Sequence, residues 1–169
     1  ATSVPSRRAA LLGETIVRSM PNTPSLVGKG AAVIAGGAAA TEADLAWAES
    51  ILGAVGIVER VDESLLDAVT GLSGSGPAYV FLVAESMIEA GVLAGIPRDI
   101  AERLTAQTLL GSATLLAESG QPAAVLRANV TSPGGTTAAG LQALEDGGVR
   151  ASFLRAVQAA TQRSRQLDA

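Results

Sequence analysis

The sequence predicts a mainly helical fold preceded by a smaller α/β segment. From residue 62 onward, apolar residues recur at helical spacing between breaks made by glycine and proline. Before that point, short apolar runs bracketed by glycine flank one helical segment, which is typical of short strands around a helix. Hydrophobic residues make up 48% of the chain but aromatic residues only 2%, so we expect small and aliphatic side chains to pack helix closely on helix. We therefore divide the chain into residues 1–61 and 62–169.

The α/β segment is expected to contain three strands and one helix. The strands are predicted at 15–20, 30–37 and 57–61. The helix is predicted over 42–52, with Thr41 as its N-cap and Asp44 as the acid of a capping box. The apolar face of this helix consists of Trp47, Ile51 and Ala54.

Residues 62–169 are expected to form a series of helices rich in small residues. We predict them over 63–69, 77–93, 97–117, 122–127, 138–144 and 150–166. The Gly/Ser-rich stretch 70–76 is expected to interrupt the first helix, and Pro77 to restart it. The positions predicted to face inward from the third of these helices are Ile100, Leu104, Thr108, Gly111 and Leu115. Broad apolar faces on so many helices indicate a partner surface, and we expect the isolated monomer to be unstable.

Charge and composition exclude several classes of function. A net charge of −4 argues against general nucleic-acid binding. The chain has no cysteine and no histidine, which excludes disulfides, thiol nucleophiles, the usual zinc sites and a Ser-His-Asp triad, so we expect no metal site. No signal peptide is recognisable, and the longest clean apolar run, 78–84, is too short to span a bilayer. We therefore expect a cytoplasmic protein without a membrane partner.

One stretch between two predicted helices has the composition of a ligand site. It reads Asn129-Val130-Thr131-Ser132-Pro133-Gly134-Gly135-Thr136-Thr137. Proline suits a helix start, the two glycines leave room for a ligand, and four hydroxyls surround them. The free N–H groups of the following helical turn favour a small anion such as a carboxylate or a phosphate. An ordinary capped turn uses the same residue types, so this alternative stays open.

Two further stretches share the character of the first. Thr70-Gly71-Leu72-Ser73-Gly74-Ser75-Gly76-Pro77 is a second Gly/Ser-rich run beside a helix, and Met20-Pro21-Asn22-Thr23-Pro24 is a turn after a predicted strand. The three motifs, in this order and over about residues 16–167, resemble the pyrroline-5-carboxylate reductase family. That family begins with a dinucleotide-binding domain carrying a Gly-x-Gly-x-x-Gly turn, and no such turn occurs here.

The resemblance implies a fold as well as a family. It implies a helical dimerisation domain of the 6-phosphogluconate dehydrogenase C-terminal-like type at 62–169. The preceding residues 1–61 would be the C-terminal remnant of a Rossmann domain. Members form interlocked homodimers through these helices, often assembled into larger oligomers.

The resemblance also implies the reaction and its residues. The reaction is reduction of 1-pyrroline-5-carboxylate to L-proline, the last step of proline synthesis, with NADPH or NADH as hydride donor. The residues it implies on the substrate side are Thr70, Ser132, Gly134, Gly135, Thr136 and Thr137. Thr137 is the implied catalytic residue, because its hydroxyl would also reach the ring nitrogen. The residues it implies on the cofactor side are Met20, Pro21 and Asn22, with Asn129, Val130 and Thr136 across the dimer.

Two other interpretations compete with a reductase. The first is a dimerisation fragment of the same family that does no chemistry, because the sequence lacks the pyrophosphate-binding turn and would bind NADPH weakly or not at all. The second is a related dehydrogenase acting on a 3-hydroxy acid. That group relies on a lysine in its helical domain, whereas the only lysine here, Lys29, lies in a loop near the predicted sheet. The choice between NADPH and NADH stays open.

Overall fold

The computed structural model describes residues 15–167. Three strands come first, β1 (Val17–Met20), β2 (Gly30–Gly36) and β3 (Gly56–Arg60). The helices are α1 (Glu42–Gly53), α2 (Leu66–Val69), α3 (Gly76–Leu93), α4 (Arg98–Glu118), α5 (Ala123–Asn129), α6 (Thr136–Asp146) and α7 (Val149–Leu167). Two short 3₁₀ segments lie at Thr23–Val27 and Glu63–Leu65, and a π-helical turn lies at Thr70–Gly74. The fold is mainly helical with a small sheet, which confirms the predicted fold class.

The three strands form one sheet in the order β1-β2-β3. β1 runs antiparallel to β2, with Met20 opposite Val33, whereas β2 and β3 are parallel, with Gly30 opposite Gly56. A Cβ atom on Gly56 would overlap the backbone of Gly30, so only glycine allows this close approach. The central strand β2 carries the most deeply buried side chains of the sheet, Ala32, Val33, Ile34 and Ala35.

Helix α1 begins with the capping box that the sequence predicts. The hydroxyl of Thr41 accepts a hydrogen bond from the N–H of Asp44 at 3.3 Å, and the Asp44 carboxylate accepts one from the N–H of Thr41 at 2.8 Å. The Thr41 hydroxyl also donates to the Asp44 carboxylate at 2.5 Å, and this bond, together with the one from the Thr41 N–H, holds the pKa of Asp44 below its usual range. Trp47 and Ile51 on the same helix are exposed and line a cavity of about 320 Å³ beside β1.

The chain divides into two compact units. The first unit comprises the described part of Ala1–Ala78 together with the described part of Phe153–Ala169, and the second unit is Tyr79–Ser152. The boundaries therefore fall within α3 and within α7. The predicted boundary between residues 61 and 62 separates two domains of the resembled family rather than two compact units, and it stays a prediction.

The first unit closes a small core of its own. Val33 and Ala35 from the sheet contact Leu66 at the start of α2. Met20, Val61 and Val69 pack around them. The core therefore joins the sheet to the first helical residues that follow it.

The Gly/Ser-rich stretch interrupts the α-helix, as predicted, and it does so as a π-helical turn followed by a bend at Ser75. Residues 70–74 form a π-helical turn, in which the N–H of Ser75 donates to the carbonyl of Thr70 at 2.8 Å. Gly71 is buried, and a Cβ atom there would lie 2.7 Å from the carbonyl oxygen of Val157 and would overlap the hydroxyl of Thr161. Glycine therefore lets the widened turn pack directly on α7.

The face of α4 predicted to point inward is exposed within the chain, so that prediction was wrong. Only Ala101 and Thr105 of this helix are buried. The predicted positions are all exposed: Ile100, Leu104, Thr108, Gly111 and Leu115. Helical spacing identifies an apolar stripe but not the surface that it packs against. Within its own unit, the apolar stripe of α4 packs against no other surface.

Among residues 15–167, one helical run is long and apolar enough to cross a membrane, namely Glu63–Leu93. Its most apolar 18-residue window has a mean hydropathy of 1.3 and is not buried within the chain. A single run of this kind is weak evidence, because a helix covered by a second subunit has the same composition. The expected absence of a membrane partner therefore stays a prediction.

Candidate functional site

The loop after β1 holds three residues predicted on the cofactor side. Met20 is half-buried and packs against the core, whereas Pro21 is exposed. Asn22 is half-buried with an extended backbone (φ −130°, ψ 166°). Its Oδ1 accepts a hydrogen bond from the N–H of Ala31 at 2.9 Å, and its Nδ2 donates to the carbonyl of Ser73 at 3.1 Å. The Asn22 amide thus has protein partners at both ends.

The π-helical turn lies directly against this loop. A Cβ atom on Gly74 would lie 3.4 Å from the sulfur of Met20, within ordinary van der Waals contact. Thr70 is half-buried, and its hydroxyl donates to the carbonyl of Leu66 at 2.8 Å. Since that proton is engaged, the Thr70 oxygen offers only lone pairs to a ligand in this conformation. The structure therefore brings the predicted substrate residue Thr70 close to two predicted cofactor residues.

The segment between α5 and α6 forms a tight turn. The N–H of Gly135 donates to the carbonyl of Ser132 at 3.0 Å. Pro133 occupies the second position of the turn and Gly134 the third, with φ at +68°. This is the arrangement of a type II turn, which requires a positive φ at its third residue and therefore favours glycine there.

The turn leads straight into α6, which begins at Thr136 rather than at the predicted residue 138. Gly135 is the N-cap, with an extended backbone (φ −78°, ψ 172°) and no side-chain capping bond. The hydroxyl of Ser132 lies where a Cβ atom of Gly135 would be. Thr136 and Thr137 are exposed and form the first two positions of the helix. Their N–H groups belong to the set that a helix leaves without an internal acceptor, which suits a small anion.

The two sets of predicted residues belong to different units. The first unit holds Met20, Pro21, Asn22 and Thr70, and the second holds Asn129, Val130, Ser132, Gly134, Gly135, Thr136 and Thr137. Asn129 and Val130 are exposed at the end of α5, with Val130 at 64%. Residues 129–137 include no ionisable side chain, so within this segment only the backbone carries partial positive charge.

Sequence reasoning missed the partners of Asn22. Neither Ala31 nor Ser73 was predicted to belong to the site, because backbone groups leave no trace in a residue pattern. One signal was present: Pro77 lacks the N–H that would normally satisfy the carbonyl of Ser73 one helical turn earlier. A donor from elsewhere in the chain is therefore needed to satisfy that carbonyl.

The described structure combines a helical region with a small three-stranded sheet, and a fold of this kind does not by itself define an activity. A family model described as pyrroline-5-carboxylate reductase dimerisation matches residues 63–167. The chain belongs to this pyrroline-5-carboxylate reductase family.

Individual relatives agree with the family match. A pyrroline-5-carboxylate reductase of Arabidopsis thaliana is 51% identical over 154 residues, which cover 91% of this chain and 56% of the relative. The solved structure of a pyrroline-5-carboxylate reductase from Coxiella burnetii superposes with a TM-score of 0.88 at 43% identity, covering 92% of this chain and 58% of that one. A Plasmodium falciparum pyrroline carboxylate reductase, solved with NADP bound, gives a TM-score of 0.86 at 38% identity, covering 92% and 63%. The chain thus spans little more than half the length of the curated relatives it matches.

Proposed function

We propose that this chain is the C-terminal part of a pyrroline-5-carboxylate reductase, which reduces 1-pyrroline-5-carboxylate to L-proline with NADPH or NADH. The observation that carries the proposal is the Pro-Gly-Gly turn that opens the N-terminus of α6. Support also comes from relatives of the same name over nine-tenths of this chain, one of them solved with NADP bound.

On the substrate side, the N-terminus of α6 would bind the carboxylate. The N–H groups of Gly135, Thr136 and Thr137 offer donors at the positive end of the helix dipole. Gly134 and Gly135 keep side chains away from this approach, and the hydroxyls of Ser132 and Thr137 would add further donors. Thr137 would also hydrogen-bond the ring nitrogen. A protonated imine is already electrophilic, so the main task of these groups is to position it.

On the cofactor side, the exposed surface at the end of β1 is compatible with a nicotinamide ring. Met20 ends β1 and Pro21 follows it, at the carboxyl end of that strand and beside the start of the antiparallel β2. When bound, the cofactor supplies the hydride that the imine carbon accepts. Asn129, Val130 and Thr136 would contribute from the partner subunit. The Asn22 amide is engaged within the chain, so its contribution would be indirect.

The proposal includes a homodimer formed through the helices, with a cytoplasmic location. The exposed apolar side chains of α3 and α4 support such an assembly, among them Phe81, Leu82, Leu104 and Leu110. The same faces favour the alternative, a dimerisation fragment without activity, because an assembly surface alone would explain them. Activity decides between the two.

The first experiment measures NADPH and NADH oxidation by the intact protein that carries this sequence. Its mass is measured beforehand, to show whether residues beyond this sequence are present. A reductase oxidises NADPH or NADH when 1-pyrroline-5-carboxylate is added and forms L-proline in equal amount. Formation of a stable dimer without any oxidation of either nucleotide would favour the inactive alternative.

Thr137→Ala tests the site itself. We expect KM for 1-pyrroline-5-carboxylate to rise by roughly tenfold, the usual effect of removing one hydrogen bond to a charged group. Thr137→Ser keeps the hydroxyl and should retain most of the affinity. The matched control is Ser50→Ala, an exposed hydroxyl on α1 that donates to the carbonyl of Trp47 at 2.8 Å. An unchanged KM in Thr137→Ala would remove Thr137 from the site.

A further inference from the structure

We propose that Asn22 is a positioning residue, which holds the π-helical turn Thr70–Gly74 against the end of β1 and so sets the place of Thr70. This inference rests on the proposed reductase function, because it assigns Thr70 to the substrate. It replaces a direct contact between the Asn22 side chain and the cofactor with an indirect role. Two independent features of the backbone explain why an asparagine is needed there.

The first feature is the end of the β1–β2 pairing. The last paired residues are Met20 and Val33, and the same register places Asn22 opposite Ala31. Pro21, which lies between Met20 and Asn22, has no N–H that could continue the hydrogen-bond ladder. Oδ1 of Asn22 accepts the N–H of Ala31 at 2.9 Å instead. The side chain thus extends the sheet by one hydrogen bond beyond the strand.

The second feature is the carbonyl of Ser73 in the π-helical turn. In a regular helix this oxygen would accept the N–H of residue 77, which is a proline and has none. Nδ2 of Asn22 donates to it at 3.1 Å. Since Ala31 presents a donor and Ser73 an acceptor, the orientation of the Asn22 amide follows from its two partners.

The two bonds join the elements on which the proposed reaction depends. Ser73 lies in the same five-residue turn as Thr70. The turn is also held from the other side, because Gly71 packs on α7. Loss of the Asn22 bond would therefore loosen the turn on its β1 side while its α7 side stays in place. Displacement of a substrate-positioning group by about 1 Å can lower turnover on the order of a hundredfold.

Asn22→Asp isolates the bond to Ser73. The carboxylate keeps an acceptor for the N–H of Ala31 but has no donor for the Ser73 carbonyl. We expect kcat/KM for 1-pyrroline-5-carboxylate to fall by roughly tenfold or more. The dissociation constant for NADPH, measured by fluorescence titration, should stay within about twofold. Gln166→Ala is the matched control, since it removes an exposed amide from the same unit and should change neither quantity.

A second substitution can supply the Ser73 carbonyl with a different N–H donor, and this tests directly whether the loss of that hydrogen bond lowers kcat/KM. Pro77→Ala supplies an N–H at position 77, so adding it to Asn22→Asp should recover part of the lost kcat/KM. In the wild-type background, where Ser73 already has its donor, the same substitution should have little effect on kcat/KM. A weakening of NADPH binding in Asn22→Asp, with KM for 1-pyrroline-5-carboxylate unchanged, would overturn the proposal and make Asn22 a cofactor ligand.

Hydrogen exchange separates this inference from the proposed function. The amide of Ser75, which donates within the π-helical turn, should exchange faster in Asn22→Asp than in wild type. If wild type proves inactive toward 1-pyrroline-5-carboxylate while this exchange is accelerated, the reductase proposal fails and the positioning role of Asn22 survives. Unchanged exchange at residues 70–75 would overturn the positioning role whatever the activity.

Discussion

The two compact units differ in how far each buries its own apolar side chains. The first unit encloses a core in which Ile34 is completely buried and Ala35 is 2% exposed. In the second unit, Ala101 and Thr105 are the buried residues, while Leu93 is 91% exposed. A unit with so little buried surface cannot offset the conformational entropy of ordering its chain by itself. The contrast shows that the helical region needs a second surface to cover its apolar side chains.

The largest effect should come from placing a charge on that surface. Leu104 on α4 is 55% exposed within the chain, yet its face is apolar. If a second copy covers this face, Leu104→Glu loses roughly 1.5–3 kcal/mol of apolar burial and also buries an unpaired charge. We expect the dimer to dissociate or the protein to aggregate, as measured by size-exclusion chromatography with light scattering.

The control for this substitution lies in the first unit. Leu26 is 88% exposed in the 3₁₀ segment Thr23–Val27, so Leu26→Glu should leave the oligomeric state unchanged. Wild-type assembly of Leu104→Glu would show that this face of α4 is not the dimer surface.

A smaller effect is expected where the first unit is tightly packed. Gly71→Ala would place a Cβ atom 2.7 Å from the carbonyl oxygen of Val157, in a backbone contact that cannot relax cheaply. We expect a loss of about 1–3 kcal/mol in the free energy of unfolding, measured by urea denaturation. Gly53→Ala, at the end of α1, has nothing within 4 Å of the new methyl group and is the matched control. Equal stability of the two variants would mean that α7 does not pack on the π-helical turn.

The smallest effect concerns the ion pairs of two exposed arginines, one in each unit. In the first unit, Arg60 contacts Glu42 and Glu49 at 2.6 Å and ties β3 to α1. In the second, Arg150 contacts Glu145, only five residues away. The hydrogen bond from each arginine holds the pKa of its glutamate, Glu49 or Glu145, below the usual range.

The sign of the pH dependence follows from these lowered values. Each pair adds stability above the ordinary carboxyl pKa, and that stability is lost as the pH falls through the lowered pKa of the folded state. Arg60→Gln should therefore lower the melting temperature at neutral pH, and its difference from wild type should shrink in acid. The difference for Arg150→Gln should be smaller, because a local pair constrains less of the chain. A pH-independent difference for Arg60→Gln would contradict this account.

Much of the fold could be predicted from local patterns. Thr41 and Asp44 predicted the start of α1, and glycines marked the limits of β2, because caps and strand ends depend on residues close in sequence. Pro133 was expected at a helix start, whereas it occupies the second position of a type II turn that precedes α6, because proline suits both positions. The assignment of these residues to a ligand stays a prediction.

The sequence by itself thus determined the helices, the strands, the three motifs and the resemblance that they carry. Only the tertiary structure decided that the break at residues 70–74 takes the form of a π-helical turn, that α4 leaves its apolar stripe exposed, and that Asn22 joins two backbone segments. Each of these depends on groups that lie far apart in the chain. Asn22 and Ser73 are 51 residues apart: Pro77 shows locally that the Ser73 carbonyl lacks its helical donor, but no local pattern shows that Asn22 supplies one.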